Sequence, residues 1–168
     1  MVNYLLKNGG DKSAVNYEYV SPIDYVMQKN NFELFDEFFR DSINKYDKEI
    51  ILNNIYAFGN LTMLKYLFDK KIIEIKDTNV VLSVFHSAIQ NNYSNIIEYL
   101  LNSGFDINAR TEETEPVILS AAIYGTPELV RKLINLGANP NSKDSYDYTA
   151  LKNAVLNNNK NVAAILYS

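Results

Sequence analysis

His86 has the widest chemical repertoire of any side chain in this sequence, because histidine can act as a general base or as a metal ligand. It is the only histidine among 168 residues, and the chain has no cysteine. A metal site built from several histidines is therefore excluded by count, and so is a cysteine–histidine catalytic pair. This composition favours a structural role for His86 over a catalytic one.

Glu112, Glu113 and Glu115 form the densest acidic group of the chain. A pair of carboxylates performs general acid–base catalysis only in a cleft that shifts the pKa of one of them. These three lie between two segments of helical spacing, where a solvated loop is expected. Two interpretations remain open: an exposed charged loop, or a cluster that attracts a basic partner.

Phosphate-binding motifs are missing from the chain. Neither G-x-G-x-x-G nor G-x-x-x-x-G-K-[ST] occurs, so we expect no nucleotide cradle, no other cofactor and no metal. The net charge of −4 and the isoelectric point near 5.0 disfavour contact with phosphate backbones and anionic lipids. The longest basic run is Lys70-Lys71. We therefore expect neither a nucleic acid nor a membrane as partner.

The distribution of apolar residues predicts a soluble protein. No apolar run approaches the roughly 18 residues of a membrane helix. The first residues, M-V-N-Y-L-L-K-N, lack the charged and apolar regions of a cleaved signal peptide. The absence of cysteine excludes disulfides and is compatible with any compartment. We expect an intracellular location.

One stretch of the chain returns at a fixed spacing of 33 residues. The central copy covers residues 104–137 and reads GFDINARTEETEPVILSAAIYGTPELVRKLINLG. The five residues from Gly104, G-F-D-I-N, return from Gly137 as G-A-N-P-N. The pair L-L at 100–101 returns as L-I at 133–134. Self-similarity at a period of this size is typical of proteins built from stacked repeats.

The repeat resembles the ankyrin family, whose units have the same period. Residues 83–89, S-V-F-H-S-A-I, look like the family's T-P-L-H-x-A-A, with His86 at the histidine position. Residues 95–101, N-I-I-E-Y-L-L, match the second helix of a unit. In the family this histidine sits at the start of the first helix and hydrogen-bonds neighbouring backbone. The resemblance thus implies that His86 ties adjacent repeats together.

The resemblance implies one all-α domain over residues 1–168, an ankyrin-repeat solenoid of stacked antiparallel helix pairs with short β-hairpin or loop fingers. A half repeat at 1–20 would precede repeats near 21–49, 50–82, 83–115, 116–148 and 149–168. First helices are expected near 22–30, 51–58, 84–91, 117–124 and 150–157. Second helices are expected near 32–41, 61–69, 94–102, 127–135 and 160–168.

Three local features modify this regular scheme. The step between the first two full repeats is short, which predicts a connector at residues 42–49 without a full hairpin. Ser42 and Lys71 stand where Gly104 and Gly137 end their helices, so the helix ends there should be strained or built differently. The last unit is rich in asparagine and lysine. It is interpreted as a natural C-terminal cap rather than as the cut end of a longer array.

Ankyrin-repeat proteins usually bind partners through the concave surface made by finger tips and the ends of first helices. Aromatic and aliphatic side chains at such positions predict a protein-binding patch. Tyr124 is the candidate anchor, and the finger carboxylates are expected to share its neighbourhood. The other interpretation is that tilted repeats bury these apolar side chains. Carried over residue by residue, the resemblance places the site at Phe58, Gln90, Asn91, Arg110, Glu112, Glu113, Glu115, Ile123, Tyr124, Tyr146 and Tyr148.

The predicted function is that of a monomeric, non-enzymatic module that binds a protein partner with a basic surface through the concave face. Fold alone does not fix function, so two alternatives stay open. One is an inhibitor or immunity protein that occludes the active site of a cognate toxin or enzyme. The other is a segment of a larger ankyrin scaffold.

Overall fold

The structure, a computed structural model, describes residues 2–12, 14–17, 19–39 and 45–167, with the backbone alone at 2–3 and 45–47. All named secondary-structure elements in these ranges are helices, which confirms the predicted all-α fold class. They are α1 (Val2–Lys7), α2 (Pro22–Gln28), α3 (Phe32–Phe38), α4 (Lys45–Phe58), α5 (Leu61–Asp69), α6 (Thr78–Gln90), α7 (Ser94–Leu101), α8 (Val117–Tyr124), α9 (Pro127–Asn135), α10 (Ala150–Leu156) and α11 (Lys160–Tyr167).

The chain divides into two compact units, residues 1–66 and 67–168. In unit 1, α2 packs against α3 and α4. Its core includes Ile23, Met27, Phe35 and Ile55, all of which are buried. The entry into α2 is fixed by a capping box between Ser21 and Asp24, as the S-P-I-D sequence favours.

In unit 2, each first helix packs against its own second helix and against the first helix of the next repeat. The principal contacts join α6 to α7 and α8, α8 to α9 and α10, α10 to α11, and α9 to α11. Small residues occur where first helices approach each other: Ala88, Ala121 and Ala154 are buried. Larger side chains such as Phe85, Leu100 and Leu133 fill the remaining space. This packing fixes the positions of α6, α8 and α10 and of the loops that precede them. The candidate site lies on these helices and loops.

The fingers of unit 2 are loops. One isolated antiparallel bridge joins Lys143 to Thr149, and the described residues contain no strand longer than that. The short connector predicted at 42–49 lies partly outside the described residues. Its described part, 45–49, already belongs to α4.

Helix α6 begins six residues earlier than the sequence predicts, at Thr78 rather than at residue 84. No glycine or proline interrupts residues 78–90, and Val81 and Leu82 are buried. Burial of these two side chains favours helix over a finger loop there. His86 consequently lies well inside its helix, and the prediction that it stands at the helix start is wrong.

The last helix pair has a mixed surface. Lys152, Asn157 and Asn158 are exposed, as a polar cap requires, but Val155 and Leu156 are exposed as well. The polar residues thus lie beside apolar ones and do not form a uniform polar face.

Lys71 ends α5 in the left-handed conformation, with φ of 56°. The amides of Lys71 and Ile72 donate to the carbonyls of Phe68 and Leu67, at 3.0 Å each, in the pattern of a Schellman motif. Gly137 closes α9 in the same way, with φ of 93°. A lysine in this conformation is strained where a glycine is not, so the strain predicted at this helix end is present.

Replacing Lys71 by glycine should therefore stabilise the protein. We expect Lys71→Gly to raise the free energy of unfolding by up to about 1 kcal/mol, because it removes the left-handed strain at an exposed position. The measurement is urea denaturation followed by circular dichroism. Lys70→Gly is the matched control and should be neutral or destabilising. Equal effects of the two substitutions would show that the left-handed conformation of Lys71 costs nothing.

Candidate functional site

A cavity of about 420 Å³ opens in unit 2 between two finger loops and the first helices α6, α8 and α10. We call it the finger cavity. Its walls come from three successive repeats, so the stacking of the repeats sets its shape. It is lined by Ser83, His86, Glu113, Thr114, Glu115, Leu119, Ser120, Ile123, Asp144, Ser145, Tyr146 and Asn153.

Helical spacing explains which residues of the first helices reach the cavity. Ser83 and His86 are three apart on α6, and Ser120 and Ile123 are three apart on α8. Residues at this spacing lie on one face of a helix. The opposite faces carry the buried residues that pack the repeats together, such as Ala121.

His86 links its own repeat to the next one. Its Nε2 atom lies 2.8 Å from the backbone carbonyl oxygen of Glu115, and its Nδ1 atom contacts the hydroxyl of Ser120. A carbonyl can only accept, so Nε2 carries the hydrogen and the Ser120 hydroxyl donates to Nδ1. Burial lowers the pKa of His86, although the carbonyl and the charge of Glu115 oppose that shift. The neutral ring thus ties α6 to α8 and its preceding loop, as the family resemblance implies.

Asp144 organises the finger loop that precedes α10. Its Oδ1 accepts hydrogen bonds from the amides of Tyr146 and Tyr148, and its Oδ2 accepts one from the side chain of Asn153, each at 2.9 Å. Desolvation alone would raise the pKa of Asp144. The bonds from Asn153, Tyr148 and Tyr146, with the charge of Lys152, outweigh it and hold the pKa below its usual value. The carboxylate is therefore charged at neutral pH and fixed in position.

The finger cavity is acidic. Glu113, Glu115 and Asp144 line it, and no lysine or arginine does. One carboxylate oxygen of Glu115, Oε2, is buried without a hydrogen bond. The nearest cation to it is the guanidinium of Arg110, at 3.6 Å. This distance is too long for a hydrogen bond, so the oxygen keeps its capacity to accept one.

One aromatic side chain, Tyr146, lines this cavity, and Tyr148 lies next to it. Tyr146 is 77% exposed, and its ring centroid lies 6.2 Å from that of Tyr148. Tyr148 is half-buried, and the ammonium of Lys152 lies 3.9 Å from its ring centroid. Tyr146 is thus an accessible aromatic side chain whose backbone is held by Asp144, and its ring lies beside that of Tyr148.

Tyr124 lies elsewhere. It is 54% exposed and lines a different cavity, of about 210 Å³, with Asn92, Gly125 and Thr126. Adjacent residues of a helix point about 100° apart. For this reason Ile123 faces the finger carboxylates and Tyr124 does not. The expectation that Tyr124 shares their neighbourhood is wrong.

The remaining predicted residues do not line the finger cavity. Gln90 and Asn91 are exposed at the end of α6, where the side-chain amide of Asn91 donates to the carbonyl of Ser87 at 3.0 Å. Arg110 and Glu112 are exposed in the finger loop that precedes α8. Phe58 is exposed at the end of α4 and belongs to unit 1.

Sequence reasoning missed Ser83, Ser120, Asp144 and Asn153. The repeat carried a signal for Asp144, because Thr111 stands 33 residues before it. The hydroxyl of Thr111 accepts hydrogen bonds from the amides of residues 113 and 114, just as Asp144 accepts from 146 and 148. A short polar side chain at this position therefore shapes both of these finger loops.

The described residues contain no group of three or more histidine, aspartate or glutamate side chains placed to hold a metal ion. Nor do they include a helix with the length and apolar character needed to cross a membrane.

Comparison with known proteins gives one family. A family model described as "Ankyrin repeats (3 copies)" matches residues 23–111 and 85–168, which together span most of the chain. Similar curated proteins include a putative ankyrin repeat protein of Borreliella burgdorferi, 29% identical over 82% of this chain and 39% of its own length. A putative ankyrin repeat protein of fowlpox virus is 27% identical over 96% of this chain and 23% of its own length.

Palmitoyltransferase AKR1 of Kluyveromyces lactis is 27% identical over 70% of this chain, which amounts to 16% of that protein. The chain thus spans less than two fifths of the length of these relatives. Among solved structures, a chain from the complex of the Bdellovibrio bacteriovorus endopeptidase Bd0816 with immunity protein Bd3460 matches with a TM-score of 0.69. That match covers 98% of this chain and 89% of the other at 22% identity, and it establishes the fold alone.

The two hydrogen bonds of His86 predict both a stability loss and a pH dependence. His86→Ala should lower the free energy of unfolding by about 1–2 kcal/mol at neutral pH, because it leaves the Glu115 carbonyl and the Ser120 hydroxyl without their partner. Below pH 6.5, the ordinary pKa of histidine, the unfolded chain gains a proton that the folded chain does not. Stability should therefore fall as the pH drops through this range.

Urea denaturation of both proteins between neutral pH and a pH of about 5 measures this effect. As the pH falls, the free energy of unfolding of His86→Ala should decline less than that of the parent. The difference in this free energy between the two proteins should therefore shrink. Gln90→Ala, on the exposed end of the same helix, is the control and should leave both stability and its pH profile unchanged. A constant difference between His86→Ala and the parent would contradict the lowered pKa.

Proposed function

Since this chain belongs to the ankyrin-repeat family, we propose that it is a non-enzymatic protein-binding module whose partner occupies the finger cavity of unit 2. The observation that carries the proposal is the composition of the cavity wall. Three carboxylates, an exposed tyrosine and a half-buried isoleucine converge there from two successive repeats. Such a mixture of charge and accessible aromatic surface is characteristic of protein-recognition sites.

The charge of the cavity defines the chemistry of the partner. Glu113 is exposed, Glu115 has an oxygen without a hydrogen bond, and Asp144 is held ionised. A lysine or arginine side chain of the partner would be attracted by all three carboxylates. Complementary charges of this kind accelerate encounter and select the partner. We therefore propose a partner with a basic surface.

Tyr146 is the proposed anchor. Its ring is exposed, while the hydrogen bond from its amide to Asp144 fixes the backbone that carries it. An anchor that is already held in place loses little conformational freedom on binding. Ile123, on α8, adds an apolar contact in the same cavity.

An inhibitor or immunity protein is the second candidate function. The solved complex with the matching chain joins an endopeptidase to an immunity protein, and the acidic finger cavity would suit a basic active-site groove. This alternative shares the binding surface of the first proposal and differs in its consequence. If a captured partner is an enzyme and the chain abolishes its turnover at stoichiometric concentration, the alternative is correct.

Tyr146→Ala should weaken partner binding by tens-fold with little change in melting temperature. The reason is that truncating a central aromatic anchor typically costs about 2 kcal/mol of binding energy, whereas an exposed side chain contributes little to folding. The partner is first isolated by affinity capture on the immobilised chain and identified by mass spectrometry. Surface plasmon resonance then compares the parent with the variant.

Tyr124→Ala is the matched control, since it removes the same side chain from the neighbouring cavity and should leave affinity unchanged. Asn102→Ala, at the exposed C-cap of the second helix α7, is a further control and should also leave affinity unchanged. Loss of binding with Tyr124→Ala alone would place the site in the cavity beside Gly125 and overturn the proposal.

Changing Glu112, Glu113 and Glu115 together to glutamine should mainly slow association. Surface charges act on the encounter rate, and salt screens them over about 10 Å at ordinary ionic strength. The association rates of parent and triple variant should therefore differ most at low salt and converge as salt is added. Glu128→Gln, on α9, is the single-charge control. A triple variant that associates as fast as its parent at low salt would contradict a basic partner.

A further inference from the structure

A second cavity of unit 2 lies between the second helices α9 and α11. It measures about 830 Å³ and shares no lining residue with the finger cavity. We call it the helix groove. Residues of α9 and α11, together with Pro140, line it.

The 33-residue register shows how the contacts between successive second helices change at this groove. In three repeats, one position of the second helix contacts the preceding second helix. The aromatic ring at this position stacks on Phe32 at 4.6 Å between centroids in one repeat, and lies 6.0 Å from Phe68 in the next. Along the chain the position is occupied by Tyr66, Tyr99, Lys132 and Ile165.

Between α7 and α9 the covering contact is an ion pair between Glu98 and Lys132. The cavity that these two residues line measures about 210 Å³. One repeat later, Arg131 stands in the place of Glu98 and Ile165 in the place of Lys132. A guanidinium and an aliphatic side chain cannot form an ion pair, so α9 and α11, although they pack against each other, lack this ion pair above the groove.

The helix groove combines apolar side chains with one cation, Arg131. Ile134 and Ile165 are half-buried, and Ala164 is exposed. Arg131 is exposed and forms no ion pair with the described residues. Its planar guanidinium presents parallel donors that match a carboxylate. Glu128, one turn earlier on α9, repels a carboxylate at that end of the groove, so the acid must approach from the side of Asn135.

We propose that the helix groove docks a segment of a second protein partner that places an apolar side chain between Ile134 and Ile165 and a carboxylate on Arg131. A partner of this chemistry supplies an apolar contact and a charge opposite residue 131. These are the two kinds of contact that join the earlier second helices. The groove would then bind an acidic, apolar segment while the finger cavity binds a basic surface.

A protein segment suits this groove better than a small molecule. Small-molecule sites orient their ligand with polar groups set inside an enclosed pocket. Here all the polar side chains of the wall, Glu128, Arg131, Asn135 and Asn161, are exposed at the rim. A peptide buries apolar surface over the floor and reaches the rim with its own polar groups, as in other helix-lined grooves.

The test uses a variant that closes the groove with the contact seen one repeat earlier. Arg131→Glu combined with Ile165→Lys rebuilds the Glu98–Lys132 pair at the next position. This double variant should fold, with a melting temperature equal to or above that of the parent. Short random peptides displayed on phage are selected against the parent chain and counter-selected against the double variant, and the enriched sequences are synthesised.

The enriched peptides should share an apolar residue close to an aspartate or glutamate. Their affinity should fall about tenfold or more in the double variant, as expected when a charge-assisted contact is lost. The Tyr146→Ala variant should bind them as the parent does. Amide chemical shifts on peptide addition should move at Ala164 and Ile165 and stay unchanged at Tyr146.

Three results would overturn the proposal. They are the absence of enriched peptides, enriched peptides without an acidic residue, and equal binding by parent and double variant. Sedimentation velocity tests whether a second copy of this chain occupies the groove. A parent chain that dimerises, with a double variant that stays monomeric, would assign the groove to a second copy of this chain and exclude the peptide segment.

Discussion

Burial between successive helix pairs is the interaction on which the rest of this structure depends. One pair has too little apolar surface for a core, so each repeat is stabilised by the next. Close approach requires small side chains at the contact, and Ala88, Ala121 and Ala154 supply them at one register position. Because these contacts lie on the inner faces of the helices, the finger tips and the outer faces are left to carry other chemistry.

Polar links then fix how neighbouring repeats align. His86 joins α6 to the repeat of α8, and the side chain of Asn108 accepts from the amide of Asn139 and donates to the carbonyl of Gly137, at 2.8 Å each. Asn159 donates to the carbonyl of Gly125 at 3.1 Å. Each link runs from a side chain to the next or the previous repeat. The carboxylates of the finger cavity thus hold defined positions although they stand on loops.

Much of this fold could be predicted from the sequence, because glycine and proline punctuate the second half. Helix α9 matches its predicted range, 127–135, since Thr126 caps it, Pro127 begins it and Gly137 closes it. The start of α6 could not be predicted in this way, because the repeat register assigns the polar residues K-D-T-N at 76–79 to a finger loop. The candidate site was harder still. The sequence places Ile123 and Tyr124 at the same helix end, but only the rotation of α8 decides which of them faces the carboxylates.

The order of contacts along unit 2 also bears on how the protein forms. The main neighbours of α8 are α6, α9 and α10, all close to it in the chain. Contacts of short sequence separation close small loops and cost little chain entropy, so they form early and fast. A growing polypeptide could add helix pairs in sequence, each new pair docking on an ordered neighbour as it leaves the ribosome. In such a chain, synthesis and folding proceed in the same direction.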